Sequence, residues 1–240
     1  MARQTGNGGS SPTRVRMERL ELVRRRPLYE EAFLAIRTAI LRGRFAPGER
    51  LYGPDIANEL GLSRGPVREA LHKLEQEGIV TSSPHLGSSV VTLDPAEIRD
   101  AMALREYLET LHCDALVAAV TDELLEELEE LVEQMRIAAE AGDAAALTEA
   151  DFAFHDRLIG VGRSGLARRV WRSIAGQLQM ALAVTDPVFV GENGDIVREH
   201  APILKALRRR DARVLEKALS RHLTNVGPLL QRAAAQRDDA

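Results

Sequence analysis

The sequence predicts a mostly α-helical chain: three helices and a small β-hairpin at the front, then an antiparallel bundle of about six helices. Three observations predict it. Ala, Leu, Glu and Arg abound while aromatic residues make up 4% of 240 residues, a balance that suits helices packed by aliphatic side chains. Val67, Ala70, Leu71 and Leu74 recur at i, i+3, i+4, i+7, the stripe of an amphipathic helix. Beyond Asp94-Pro95 apolar residues keep the same period to the last helix.

In chain order, residues 1–26 begin with Gly, Ser, Asn and Thr and run into Arg24-Arg25-Arg26; they read as a disordered basic tail. A unit over residues 27–92 follows. Ala32, Phe33, Ile36 and Ile40 mark the inner stripe of a first helix ending near Gly43, and residues 45–51 form a turn punctuated by Pro47-Gly48. Residues 55–60 are a short second helix with Ile56, Ala57 and Leu60 inward, stopped by Gly61. The third helix opens on Ser63 as its cap and tolerates Pro66 in its first turn. Arg64, Arg68 and His72 fall at i, i+4, i+8, away from the apolar stripe. Two arginines directed outward from the first half of a helix suit forked pairing with guanine edges and phosphates, so this element reads as a recognition helix for double-stranded DNA. Residues 79–81 and 89–92 are expected to pair around Pro84-His85-Leu86-Gly87 as a wing. Together these elements make a winged helix-turn-helix.

Charge agrees with that reading. The formal net charge of −4 divides unevenly: up to Val91 there are 14 basic and 10 acidic residues, and beyond it 18 and 26. A basic front on an acidic remainder is what a tethered DNA-binding module predicts. The single cysteine, Cys113, excludes an intramolecular disulfide and a cysteine-based zinc cluster. It points to the reducing cytoplasm. No apolar run approaches the roughly 20 residues needed to span a bilayer, and the N-terminus lacks the apolar core of a signal peptide, so a cytoplasmic protein with no membrane partner is expected.

Pro47-Gly48-Glu49-Arg50-Leu51, then IANELGLSRGPVREALHKLEQEGIV over residues 56–80, then a Gly-containing hairpin, resemble the winged helix-turn-helix of GntR-family bacterial transcription regulators over residues 28–92. The resemblance implies that Ser63, Arg64 and Arg68 meet DNA, with Arg50 and the wing around His85 and Gly87 as auxiliaries. Gly65 departs from the family, which usually has a hydroxyl or larger polar residue there, and Tyr52-Gly53-Pro54 replaces a more polar entry to the second helix. Operator preference is therefore not carried over.

Past the boundary at Asp94-Pro95, Ala101, Leu104, Leu108, Leu111 and Ala115 form one stripe, and Leu124, Leu128, Leu131 and Met135 the next. A third helix runs from Gly142-Asp143 through His155, and a fourth, capped by Ser164, contains Trp171 and Leu178. A loop over residues 187–194 precedes two last helices, one through His200 and Leu207 and one from about Asp211 through His222. Asp151 and His155 stand at i, i+4 and share a face. His200 precedes Leu204 and Leu207 by one and two turns, and His222 follows Leu215, Ala218 and Leu219 by helical steps. One carboxylate and three imidazoles on inward stripes suit a divalent metal with open positions. Three histidines favour Zn²⁺, and the same donors suit Ni²⁺, Mn²⁺ or Fe²⁺. A histidine on an apolar stripe is equally an ordinary hydrogen-bonded core residue.

AspPheAlaPheHis at residues 151–155, GluHis at 199–200 followed by Ile203, Leu204, Ala206 and Leu207, and ArgHisLeu at 221–223 are similar to the FCD ligand-binding domain of the FadR-type branch of the GntR family. In its metal-binding members an aspartate and three histidines in this order hold the metal. The resemblance thus implies Asp151, His155, His200 and His222 as ligands and leaves His112 spare. Arg105-Glu106-Tyr107-Leu108-Glu109 resembles the segment whose arginine faces the effector cavity, where a guanidinium beside a metal clamps a small carboxylate. The i, i+4 spacing of Arg105 and Glu109 equally describes a surface ion pair.

These readings converge on a homodimeric repressor, released from its operator by a small organic acid bound in residues 95–234, the effector-binding and dimerisation domain. A dimer is expected because one short helix reads few base pairs, whereas a pair reads a pseudo-palindrome. A metal-dependent enzyme and a metal-sensing regulator using the same four residues are the alternatives.

Overall fold

Helix α1 (Leu28–Leu41) turns Ala32, Phe33, Ile36 and Ile40 inward, as its period requires. Its partners are α2 (Gly53–Leu60) and α3 (Arg64–Gln76), the latter burying Val67, Ala70, Leu71 and Leu74. Gly61 ends α2 at a φ of 65°, a left-handed position where a side chain is strained. This is a computed structural model; it describes residues 27–83, 87–92, 94–161, 165–183 and 193–235. The expected tail at 1–26, His85 and the Ser164 cap lie outside the described residues.

The sheet is larger than the expected hairpin. Strands β2 (Val80–Ser83) and β3 (Gly87–Val90) pair antiparallel with Ser82 opposite Ser88, and β1 (Arg50–Leu51) adds to the far side of β3, giving the order β1-β3-β2. The residues read as the end of a turn are therefore a strand. Two residues are too short for a period-2 pattern to register, and what fixes them is pairing with Ser88 and Ser89. The wing strands also run closer to the turn than expected, ending at Ser83 and starting at Gly87.

Asp94 closes the front unit and starts the helical part. Its side chain accepts from the backbone N–H groups of Ala96 and Glu97, while the Glu97 carboxylate accepts from the Asp94 N–H at 2.9 Å. This reciprocal box caps α4 (Pro95–Thr110). Among the described residues six further helical segments follow: α5 (Cys113–Ala119), α6 (Asp122–Ala141), α7 (Ala144–Val161), α8 (Gly165–Ala183), α9 (Asn193–Arg209) and α10 (Ala212–Ala235). The expected first bundle helix is split, because the chain turns at Leu111 and His112 between α4 and α5. The last helix is capped by Asp211, whose carboxylate accepts from the Val214 N–H at 3.1 Å. Helix α9 begins at Asn193, so the end of the expected loop at 187–194 is helical.

The inner face of α4 is a correction. Leu104 and Leu111, expected in its stripe, are 51% and 46% exposed, and Ala115 is exposed as well. The buried residues are Ile98, Ala101, Met102, Arg105 and Glu109. The helix is rolled so that a salt-bridged pair, rather than two leucines, faces the bundle.

One apolar core lies among α5, α6, α7, α9 and α10, and a second joins α4, α7 and α8 with Leu223 of α10. The core of the front unit receives Met180 from α8. This helix crosses the joint at close range. A β-carbon at Gly176 would overlap the Glu77 carbonyl oxygen, and one at Gly78 would meet the Ser173 carbonyl at 2.7 Å. Arg37 of α1 donates to the Gln179 side-chain oxygen at 2.6 Å and reaches Glu77 at 3.7 Å.

Replacing Gly176 by Ala should therefore push α8 off the front unit. A thermal melt should show a loss of about 1–3 kcal/mol, roughly 2–4 °C per kcal/mol for a chain of this size. Gly165→Ala, at an exposed end of the same helix, should stay within about 0.5 kcal/mol. Equal melts for the two variants would contradict the close approach at Gly176.

Candidate DNA-reading helix and metal centre

At the front, Arg64 and Arg68 project from α3 into solvent, and they share an open groove of about 800 Å³ with Gly65, His72, Ser82 and Ser88. The groove is bounded by the recognition helix and the wing, so both expected arginines sit on its wall. Ser63 stands at the cap position of α3 without a side-chain cap hydrogen bond, which departs from its expected role. His72 is turned back on its own helix, with Nδ1 3.3 Å from Glu75 Oε2 and Nε2 3.2 Å from Gln76 Nε2. Arg50, exposed on β1, lies beside Gly87, where a β-carbon would be 3.6 Å from its Nη2.

Inside the bundle, α7 supplies Asp151 and His155, α9 His200 and α10 His222. All four are buried, the three histidines completely. One donor atom from each lies within 4.8 Å of the others. His155 Nε2 is 3.1 Å from His222 Nε2, and Asp151 Oδ1 is 3.2 Å from His200 Nε2 and 3.9 Å from both His155 Nε2 and His222 Nε2. Donors 2.0–2.1 Å from a tetrahedral ion stand about 3.4 Å apart, and these separations bracket that value. Asp151 Oδ1 is buried with no hydrogen-bond donor aligned on it among the described residues. A buried acceptor facing three imidazoles is the donor set that a divalent cation satisfies.

Arg105 and Glu109 form the next layer. Arg105 is 1% exposed, so the pair is buried and the surface alternative is excluded. Glu109 Oε1 accepts from Arg105 Nε at 2.7 Å and from the indole N–H of Trp171 at 2.8 Å, while Oε2 lies 2.6 Å from His155 Nδ1. The guanidinium stacks over Phe152 at 4.6 Å. Its Nη2 is 3.6 Å from Asp151 Oδ2, and neither Nη1 nor Nη2 makes a hydrogen bond within the described residues. His112 is half-buried at the start of α5, apart from this cluster.

Burial and charge set the protonation states. Burial alone would raise the Glu109 carboxyl, but His155 and Arg105 beside it hold it down at about 2. Asp151 is likewise kept far below the usual carboxylate range against its own burial by His200, His155 and Arg105. Burial lowers His155 and His222, so both are neutral and available as ligands.

Glu109 and Trp171 are the residues that spacing did not single out for the site. The signal was present: Ile98, Ala101, Met102, Arg105 and Glu109 also recur at helical intervals. Two charged members made the leucine stripe look the better inner face.

An exposed helix lining a groove beside a wing, joined to a helical domain, is the architecture of a DNA-binding transcription regulator. Comparison with known proteins agrees. The family model for the FCD domain matches residues 100–225, and that for bacterial regulatory proteins of the gntR family matches residues 28–90. The chain belongs to the GntR family of transcription regulators and carries an FCD domain. It is 26% identical to the HTH-type transcriptional repressor RspR of Escherichia coli K12 over 89% of this chain and 93% of that one. It is 33% identical to an HTH-type transcriptional regulator in an unstable DNA locus of Streptomyces ambofaciens, over 85% and 86% of the two chains. The solved structure of E. coli McbR/YncC, 20% identical, superposes with a TM-score of 0.74 over 86% of this chain and 98% of that one; it shows the shared fold. The family regulates transcription, which sets aside the metalloenzyme alternative. No helix among the described residues is long and apolar enough to cross a membrane.

The lowered histidines make a stability prediction for protein stripped of metal. In the unfolded chain they take up a proton near pH 6.5, whereas the folded chain refuses it until lower pH. Their contribution is complete above about pH 6.5 and is lost as pH falls below it. Melts of chelator-treated protein should show a falling Tm from pH 7.5 to 5.5, and a flat profile would contradict neutral buried imidazoles.

Proposed function

We propose that this regulator binds a pseudo-palindromic operator as a homodimer and represses transcription. A small organic acid, held by Arg105 and by a divalent metal at Asp151, His155, His200 and His222, releases it. The observation that carries the effector reading is the pair of Arg105 terminal nitrogens, buried without hydrogen-bond partners and 3.6 Å from Asp151. Two parallel N–H donors on a desolvated guanidinium match the two oxygens of a carboxylate. The metal, when bound, supplies a Lewis-acidic position for an acid oxygen. Zinc suits three imidazoles and one carboxylate, and nickel, manganese or iron(II) suits them as well.

Repression is supported by the E. coli relative, which is named a repressor. DNA contact is assigned to Arg64 and Arg68, with Arg50, Ser63, Gly87 and His85 beside them. Arg64 and Arg68 support this by lining one groove, and Arg50, Ser63 and Gly87 by their exposure. Release requires that the acid favour one packing of the bundle over another. Helix α8 is the route: it carries Trp171, bonded to Glu109, and also Gly176 and Met180, seated against the front unit. The division into a DNA-binding unit at 27–92 and an effector-binding, dimerising unit at 95–234, and a cytoplasmic location, belong to the same reading.

The reading is tested by metal analysis of the purified protein combined with melts across small carboxylic acids, before and after chelation. A stoichiometric metal and an acid whose stabilisation and DNA release both vanish on chelation are expected. Absence of metal would remove the centre and leave the DNA reader. DNA release by the metal alone, with no acid, would instead make the metal the signal.

Two variants separate the halves. Arg68→Ala should weaken operator binding by about 1–3 kcal/mol and reduce the salt slope by about 1, and unchanged binding would remove α3 as the reading helix. His200→Ala should lose metal and acid response while still binding the operator, and full metal retention would exclude it as a ligand.

A further inference from the structure

We propose that Glu109 is the positioning residue of the metal centre: it fixes the His155 tautomer so that the lone pair of Nε2 is aimed at the ion. This rests on the metal-centre reading above and assigns a role to a residue outside the four ligands. A carboxylate only accepts hydrogen bonds, so the 2.6 Å approach of Glu109 Oε2 to His155 Nδ1 requires the proton on Nδ1. The other ring nitrogen then carries no proton, and it is the one facing Asp151 and His222. Glu109 cannot swing away, because its second oxygen accepts from Arg105 Nε on α4 and from Trp171 Nε1 on α8. The result is a carboxylate–histidine–metal arrangement in which the outer partner sets both the ring orientation and the lone pair.

The oxygens of Glu109 are not equivalent, which gives the inference a sharp consequence. Oε1 accepts two hydrogen bonds and Oε2 one. A glutamine at this position has one oxygen and one NH₂ group. Its oxygen is retained by the two donors Arg105 and Trp171, so its NH₂ group turns to His155 Nδ1. An NH₂ group donates, so His155 must move its proton to Nε2, and the N–H then points into the centre where the metal needs a lone pair. The hydrogen-bond count within this layer is conserved while the ligand is switched off.

The test uses the full-length protein in two measurements. The first is ¹⁵N NMR of the histidine side chains in metal-free protein at pH 8, with His155 assigned by His155→Gln. His155 should carry its proton on Nδ1 in the wild type and on Nε2 in Glu109→Gln. The second is Zn²⁺ affinity by chelator competition, which should fall by at least 10–100-fold in Glu109→Gln. His112→Gln, at a half-buried position apart from the cluster, should leave both the tautomer and the affinity close to wild type. A Glu109→Gln protein that keeps the Nδ1 proton, or binds Zn²⁺ within threefold of wild type, overturns the proposal. Should Glu109→Gln fail to fold, the wild-type spectrum decides, because a proton on Nε2 there overturns it. A wild type that takes up no Zn²⁺ overturns the metal centre, and the tautomer measurement still reports on Glu109 and His155 separately.

Discussion

The bundle is organised around a carboxylate buried where a carboxylate is costly. Glu109 is taken out of water and held ionised by Arg105, Trp171 and His155. Breaking a buried charge pair by removing one partner costs about 3–5 kcal/mol, so these four side chains must be placed together or not at all. They come from α4, α7 and α8. One interaction therefore fixes three helices relative to one another, and Asp151 and His155 on α7 take their positions toward α9 and α10 from that arrangement. The orientation of α4 follows: the helix exposes Leu104 and Leu111 in order to turn Arg105 and Glu109 inward.

Helix α8 extends the constraint to the DNA-reading unit. Trp171 lies on the side that meets Glu109, and Gly176 and Met180 lie against the front unit, where the absent side chain of Gly176 admits the Glu77 carbonyl. Backbone packed this closely has no compressible layer between the two parts. A shift of α8 relative to the bundle is felt at Glu77, Gly78 and Ile79, which connect the reading helix to the wing. Arg37 adds polar attachment at the same joint, bridging α1 to Gln179 and Glu77.

What the sequence disclosed and what it withheld divide along periodicity. The stripe of α3 was readable because Val67, Ala70, Leu71 and Leu74 are all apolar and all buried. The convergence of Asp151, His155, His200 and His222 was readable because each lies on an apolar stripe of one of three helices and their order is similar to that of the FCD domain. Strand β1 was not, since Arg50 and Leu51 acquire their conformation from partners nearly forty residues away. The face of α4 was not either. Periodicity ranks faces by hydrophobicity, and a face buried for the sake of a salt-bridged pair is ranked below one with leucines. Trp171 was placed only in the fourth bundle helix; it is 2% exposed, its indole N–H needs a partner when buried, and only the fold shows that the partner is Glu109.

The formal charges of this layer bear on the order in which ligands enter under the proposed function. Arg105 contributes +1, Glu109 and Asp151 −1 each, and the lowered His155 and His222 add nothing. Two buried carboxylates against one guanidinium attract a divalent cation and repel an organic acid, so the acid is disfavoured while the cation is absent. A cation in place would offset the two carboxylates, and an acid could then accept from the Arg105 terminal nitrogens, which lack hydrogen-bond partners among the described residues. Desolvated charges interact strongly enough for this sequence to be enforced. The residues assigned to the metal would therefore make acid binding conditional on it, which is why the proposed mechanism couples chelation to acid response.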